Sequence, residues 1–264
     1  MNNNPPISVQ ILTWNSGKTL RRTLKSVRGL REIILIDGGS TDDTLAIGKE
    51  FGAHVVAQRP PSEQGRPLTD FAAARNVGLH YTTERWILAL DSDEVVSQEL
   101  FRQITAIVER GEPCACYLPR KYVRPDGIVI QHASTYPNER IYFFHRSVVR
   151  SWVKPVHERA LLLPGTRVQH LRGATLAPLP TIEEFKEKNR QYLAIERERS
   201  RELGFGHWFW HRLFYSLRSS IIALMKLAWI WLLPHRRPRL PLRHEALRFW
   251  YRWRLIIDTF PRHQ

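Results

Sequence analysis

At 264 residues the chain can bury one substantial core with an appended region, but hardly two large domains. Forty Lys and Arg against 25 Asp and Glu give a formal charge of +15, which calls for an anionic partner such as nucleic acid or an acidic membrane surface. Only Cys114 and Cys116 are present, two residues apart in a strand-like run; this is a poor geometry for a mutual disulfide and too few ligands for a zinc site, so they read as reduced packing residues. The start, Met1 to Pro6, has neither a positive n-region nor an apolar h-region, and predicts no secretory signal.

Residues 7–14 predict a first strand, and Asn15-Ser16-Gly17 a turn into a helix with Leu20, Leu24 and Val27 at helical spacing. Glu32 to Asp37 is a second apolar strand ending on a carboxylate. After Gly38-Gly39, Ser40-Thr41-Asp42-Asp43 reads as a capping box opening a helix to about Phe51, with Asp42 and Asp43 as capping residues rather than ligands. His54 to Gln58 is a short strand and Thr69 to Tyr81 a helix carrying Arg75. Trp86 to Asp91 is the fourth strand, and it stops on Asp91-Ser92-Asp93-Glu94 before a helix over 97–110. Near-continuous apolar strands alternating with helices predict an α/β fold with a parallel sheet covered on both faces. From residue 112 the rhythm changes. Cys114 to Val123 and Ile128 to Gln131 flank Pro125-Asp126-Gly127 as a hairpin, Arg140 to His145 adds a strand, and Thr181 to about Leu203 is a charged helix.

Two aspartates one residue apart at the end of a buried strand deliver hard oxygen ligands to the carboxyl edge of a sheet, where open α/β folds bind their ligands. Neither a Gly-x-Gly-x-x-Gly fingerprint nor a phosphate loop follows the first strand, so dinucleotide and P-loop folds are poorly supported. Phosphates must then be neutralised by a cation and side chains.

Ile7 to Ser16, Ile36 to Thr44, Ala74-Arg75-Asn76, Trp86 to Glu94, Tyr136 to Arg140, Val156-His157-Glu158 and Val168-Gln169-His170 follow one another in an order that resembles family 2 glycosyltransferases of the GT-A fold. More narrowly, the chain looks like the bacterial branch containing lipopolysaccharide-core β-glucosyltransferases. The resemblance covers about residues 7–175 and implies a GT-A-type nucleotide-binding sheet flanked by helices. It implies Thr13, Trp14 and Asn15 beside the nucleoside, Asp37 on the base or ribose and Arg75 near the diphosphate. Asp91 and Asp93 would form the Asp-x-Asp pair, with Asp93 the direct ligand to Mn²⁺ or Mg²⁺ and His170 completing the metal or diphosphate site. Glu158 would be the general base of an inverting transfer. The expected partners are a nucleotide-sugar donor, a UDP-sugar by preference, and a glycan or lipid-linked acceptor.

Residues 207–264 hold eleven Lys and Arg against two Asp and Glu, with six of the nine tryptophans. From His207 to Leu233 the run is apolar but broken by Arg212, Arg218 and Lys226, short of an uncharged span. Arg212, Ser216, Ser219, Ser220, Ala223 and Lys226 form a small or polar stripe, and Leu213, Phe214, Leu217, Ile221, Leu224, Met225 and Leu232 occupy the rest. With Trp208, Trp210, Trp229 and Trp231 at headgroup depth and cations at His235-Arg236-Arg237-Pro238-Arg239, this predicts a helix lying in the interface of an anionic membrane. A helix packed on the enzyme and a true membrane span are the alternatives. Nucleic acid is not expected, since no reading helix or aromatic sheet face is evident. The chain therefore divides into a catalytic domain over 1–180 and a helical membrane-associating region over 181–264, on the cytoplasmic side of a bacterial inner membrane. A catalytically silent membrane-bound carbohydrate-binding protein and a sugar nucleotidyltransferase are the competing readings; the second would need a glycine-rich basic first loop, absent from Ile11 to Lys18.

Overall fold

A computed structural model describes residues 4–60, 62, 64–65, 68–200, 204–232 and 237–261. His235, Arg236 and the 201–203 end of the charged helix lie outside them. The chain separates into two compact units, Met1–Lys121 with Pro137–Pro178, and Tyr122–Tyr136 with Leu179–Gln264.

The first unit is built on a mixed sheet. Strands β1 (Ile7–Thr13), β2 (Glu32–Asp37), β3 (His54–Ala57) and β4 (Trp86–Asp91) run parallel in the order β3-β2-β1-β4. Every residue of β1 is buried, as expected for a strand covered on both faces. Helix α1 (Gly17–Val27) buries Leu20, Leu24 and Val27, the spacing seen in the sequence. Helices α2 (Thr44–Glu50), α3 (Phe71–Tyr81) and α4 (Gln98–Arg110) complete this half. Gly78 lets α3 sit directly on β2: a Cβ there would lie 2.4 Å from Ile36 Cδ1. β5 (Val95–Val96), β6 (Ala115–Val123), β7 (Glu139–His145), β10 (Val168–His170) and β11 (Thr175–Pro178) extend the sheet, with β7 antiparallel to both β4 and β6. β8 (Val149–Val153) and β9 (Arg159–Leu162) form a separate ribbon. Cys114 and Cys116 are buried free thiols with sulfurs 3.9 Å apart.

Because β1 is flanked by β2 on one side and β4 on the other, chain direction through the sheet reverses there. Leu12 pairs with Asp91, so the carboxyl ends of β1 and β4 lie side by side. Open α/β sheets bind ligands at such a switch point.

Two local expectations are corrected. Helix α2 starts at Thr44, not Ser40, because Ser40 is drawn back to Asp37. The expected return strand Ile128–Gln131 is a loop. The hairpin pairing itself is present: Arg124 N–H donates to Ile128 O and Ile130 N–H to Tyr122 O around the bridge Val123 to Val129, with Gly127 N–H on Arg124 O in the turn.

The second unit comprises α5 (Ile182–Ser200), α6 (Phe205–Leu232, with a π turn over Phe209–Phe214) and α7 (Leu242–Asp258). α7 packs on both α5 and α6. Its Glu245 accepts hydrogen bonds from Ser134 N–H and Ser134 Oγ–H, which fixes the 130–136 loop. α6 is inside out by the standard of a soluble helix. Its small or polar stripe turns inward, with Ser216 and Ala223 buried, Arg212 paired with Glu196, and Lys226 donating to Tyr136 O. Phe214, Leu217, Ile221, Leu224, Met225, Trp229 and Leu232 are exposed, the last at 81%. Trp208 departs from the expected interfacial set: it is buried and donates from Nε1 to Ile256 O. Allowing its few charges, α6 is long and apolar enough to cross a membrane by length and composition.

Candidate active site

Two loops leave the switch point. After β1, Asn15 takes a positive φ of 47° and its Oδ1 accepts from Thr41 N–H, while its own N–H donates to Ser40 Oγ. After β2, Asp37 is buried and fully engaged: Oδ1 accepts from Thr13 Oγ–H and Ser40 Oγ–H, and Oδ2 from the N–H groups of Gly39 and Ser40. Gln58 donates to the carbonyls of Thr13 and Ile36. Asp42 accepts from Gly17 N–H and Thr44 N–H, tying the two loops together. Asp43, the N-cap by position, makes no side-chain cap. Trp14 is left 41% exposed beside Gly38, a flat apolar face at the rim.

At the end of β4 four carboxylates meet three guanidinium groups. Arg75 is completely buried, donating from Nη1 to Gln10 O and Leu90 O and from Nη2 to Asp91 Oδ1 at 2.8 Å; its Nε lies 3.7 Å from Glu158 Oε1. Arg140 reaches Asp91 at 3.4 Å, Glu94, and the Tyr142 hydroxyl. Arg120 holds Glu94 through Nε and lies 3.8 Å from Asp93. Tyr142 donates in turn to Glu158 Oε1. The chain of contacts runs unbroken from Asp93 to Glu158, joining residues from four separated stretches of sequence.

Electrostatics keep these groups in fixed states. Burial would lower the Arg75 guanidinium, yet Tyr142, Asp91 and Glu158 around it raise it above the ordinary arginine value. Burial likewise opposes the charge on Arg140, and Glu94 foremost, then Tyr142, Asp91 and Glu158, raise it well above normal. Burial pushes the Tyr142 phenol well up, so it stays a donor. Glu158 Oε2, by contrast, has no hydrogen bond or ion pair among the described residues. Glu158 follows a loop in which Lys154 and His157 both hold positive φ, 71° and 55°, a conformation that non-glycine residues adopt at a cost of order 1 kcal/mol each. The loop is pinned by Phe71 N–H donating to Pro155 O.

The sequence over residues 8–161 matches the family model described as glycosyl transferase family 2. The chain belongs to this family. A glycosyltransferase of Rickettsia felis, itself uncharacterised, is 32% identical over 102 residues, 38% of this chain and 33% of the relative, so the chain spans about a third of that relative's length. Glucosyl-3-phosphoglycerate synthase of Mycobacterium tuberculosis, solved with Mn²⁺, UDP and phosphoglyceric acid, superposes with a TM-score of 0.48 at 20% identity over 72% of this chain and 76% of its own. Staphylococcus aureus TarS 1-349 with UDP gives 0.47 at 13% identity, covering 96% and 88%.

The family 2 match encloses Thr13, Trp14, Asn15, Asp37, Arg75, Asp91, Asp93 and Glu158, and stops short of His170. Most of these lie at the ends of β1, β2 and β4 or in the connected cluster. Arg75 has no exposed surface and reaches the cluster by holding Asp91 through Nη2. His170 lies apart, largely exposed, its Nδ1 on Glu139 and its ring stacked on Tyr117. No group of three or more His, Cys, Asp or Glu side chains able to hold a metal occurs among the described residues. The donor set suits instead a hard cation held by one or two carboxylates and completed by phosphate oxygens and water. Asp93 is the most exposed carboxylate of the cluster, at 35%, against 31% for Asp91 and none for Glu94.

Sequence reasoning missed Glu94, Arg120, Arg140 and Tyr142. Arg140 and Glu94 stand inside segments that carried the resemblance, but nothing in spacing tells that β6 and β7 deliver two arginines to the end of β4.

Proposed function

We propose that this chain is an inverting, metal-dependent glycosyltransferase, moving a sugar from a nucleoside-diphosphate donor, UDP-sugar by preference, to a lipid-linked or lipopolysaccharide-type acceptor at the cytoplasmic face of a bacterial inner membrane. The observation that carries the reading is the contact chain joining Asp93 to Glu158 at the switch point of the sheet. Glycosyl transfer needs two separate services: charge stabilisation for the departing diphosphate, and a base for the acceptor hydroxyl. One cluster offers both.

Thr13, Trp14 and Asn15 line the nucleoside side, with Trp14 as a face for the base. Asp37 uses all of its carboxylate to hold the loop over β1 and β2, and contributes to nucleoside binding by that shape as much as by contact. Asp93, supported by Asp91, holds Mn²⁺ or Mg²⁺; when bound, the ion supplies positive charge where the leaving group develops negative charge. Arg75 fixes the Asp91 carboxylate so that it cannot swing away from the phosphate side. His170, with Nδ1 on Glu139, keeps Nε2 for the metal or diphosphate site.

Glu158 takes the acceptor proton. Its Oε1 is held by the Tyr142 hydroxyl and faces Arg75, leaving Oε2 to receive the proton as the new bond to the anomeric carbon forms. Because Tyr142 stays protonated, Glu158 is oriented without competing for that proton. The lipid-bound acceptor is favoured by α6, whose exposed apolar face suits an interface of lipid and water better than bulk water.

Metal-dependent release of UDP from a UDP-sugar, by the full chain with Mn²⁺, tests the reading. Release that disappears with chelator supports it; sugar binding without turnover in any donor supports the silent carbohydrate-binding alternative instead.

A further inference from the structure

Between α6 and α7, wholly within the second unit, lies an open groove of about 410 Å³ lined by Leu217, Ser220, Phe249, Trp250, Arg252, Trp253 and Ile256. The volume falls in the range of small-molecule sites. Its walls are aliphatic and aromatic, and Leu217 and Trp253 remain 46% and 60% exposed. Two polar residues, Ser220 and Arg252, line the groove with them. Arg252 leans on the Phe249 ring, and its Nη1 is buried with no hydrogen-bond partner. A buried guanidinium donor left unmatched is costly, and its natural complement is a phosphate or carboxylate oxygen.

We propose that this groove seats one anionic membrane phospholipid, the phosphate on Arg252 and Ser220 and an acyl chain along Leu217, Phe249, Trp250, Trp253 and Ile256. The proposal rests on the membrane reading of α6 and deepens it from diffuse attraction to a defined site. The pairing of apolar wall and single cation selects the occupant. A second copy of the chain would bring Arg252 against Arg252 across a two-fold contact, and an apolar peptide would leave Nη1 unmatched. Leu217 of the groove wall belongs to the exposed apolar face of α6 with Ile221 and Leu224, so an acyl chain in the groove would continue along that face.

The experiment compares binding of the full chain to phosphatidylcholine vesicles with and without phosphatidylglycerol, by cosedimentation and by quenching of tryptophan fluorescence with phosphatidylglycerol brominated in its acyl chain. Arg252→Met removes the cation, Ser220→Phe fills the groove at constant charge, and Arg254→Met, on the outer face and paired with Asp258, is the control. Diffuse attraction loses about fivefold in affinity per cation wherever the cation sits. The seat predicts a larger loss for Arg252→Met than for Arg254→Met, loss of preference for the anionic vesicles in Ser220→Phe, and weaker quenching in both groove variants. Equal losses for the two arginines, or a Ser220→Phe protein that keeps its preference, overturn the seat while leaving membrane association intact. Inorganic phosphate that competes as well as the lipid overturns it too, since the acyl chain would then add nothing. Failure of the unaltered chain to bind either vesicle defeats the membrane reading itself.

Discussion

β1 and α6 are both written in apolar residues, and the protein treats them oppositely. All seven residues of β1 are buried, whereas α6 buries Trp208, Ser216, Ala223 and Ile230 and shows most of its large side chains to the outside. The same contrast holds for cations. Arg75 and Arg252 each have a buried nitrogen without a hydrogen bond among the described residues, Nε and Nη1 respectively, but Arg75 has Asp91 and Glu158 within ion-pair distance, while Arg252 lines an apolar groove. The first unit keeps most of its large apolar side chains inside, and the buried charges of Arg75 and Glu94 are gathered by ion pairs around one site. The second leaves a contiguous set of large apolar side chains outside, as befits a surface whose complement comes from elsewhere.

The largest expected effect tests whether the first unit's cluster is catalytic at all. Asp93→Ala is expected to lower transfer by about 10³-fold or more, the scale of losing a principal electrostatic stabiliser, and to abolish metal-dependent donor binding. Unchanged turnover would leave the cluster a structural ion-pair network. Glu158→Gln should cost about 10² to 10⁴ in kcat with donor affinity retained, because only the proton acceptor is removed; matched losses in kcat and binding would move the base elsewhere.

Arg75→Met asks whether the ion pairs inside the first unit are structural as well. Removing a fully buried cation from its carboxylates is expected to destabilise by about 3 kcal/mol or more, read as a fall in the denaturant midpoint. A midpoint like that of the unaltered chain would show that Asp91 and Glu158 hold their places without it. Gly173→Ala has a purely steric consequence, since a Cβ would lie 2.2 Å from Leu100 N, and loss of soluble protein is expected.

The smallest effect belongs to the second unit. Burial pushes the Tyr251 phenol up to about 12, with Glu196 reinforcing it. A group raised in the folded state contributes stability that is fully present below its unfolded value near 10 and is lost as pH climbs towards 12. Thermal stability should therefore fall through that window, and Tyr251→Phe should flatten part of the fall. A Tyr251→Phe curve parallel to that of the unaltered chain would mean that another group governs the alkaline limit.

Much of the first unit was legible because parallel strands buried on both faces leave continuous apolar runs, and Asp37 and Asp91 mark where those runs end. β8, β9, β10 and β11 were not, being three to five residues long with mixed burial, too short for a period to establish itself. The start of α2 was misread because Ser40 had two competing partners, its own helix and Asp37, and only the folded loop decides between them. The candidate site was half legible. Carboxylates at strand ends announce themselves, whereas Arg120, Arg140 and Tyr142 reach the cluster through antiparallel pairing of β6 and β7 that no local pattern encodes. In α6 the polar stripe was readable, but not that it faces inward.

The account stands on Asp93 and Glu158 doing different work in one site. Calorimetric titration of UDP into the full chain with Mn²⁺, for Asp93→Ala and Glu158→Gln side by side, measures that division directly. Metal-dependent binding is expected to survive in Glu158→Gln and vanish in Asp93→Ala; survival in Asp93→Ala, or the same loss in both, would contradict it.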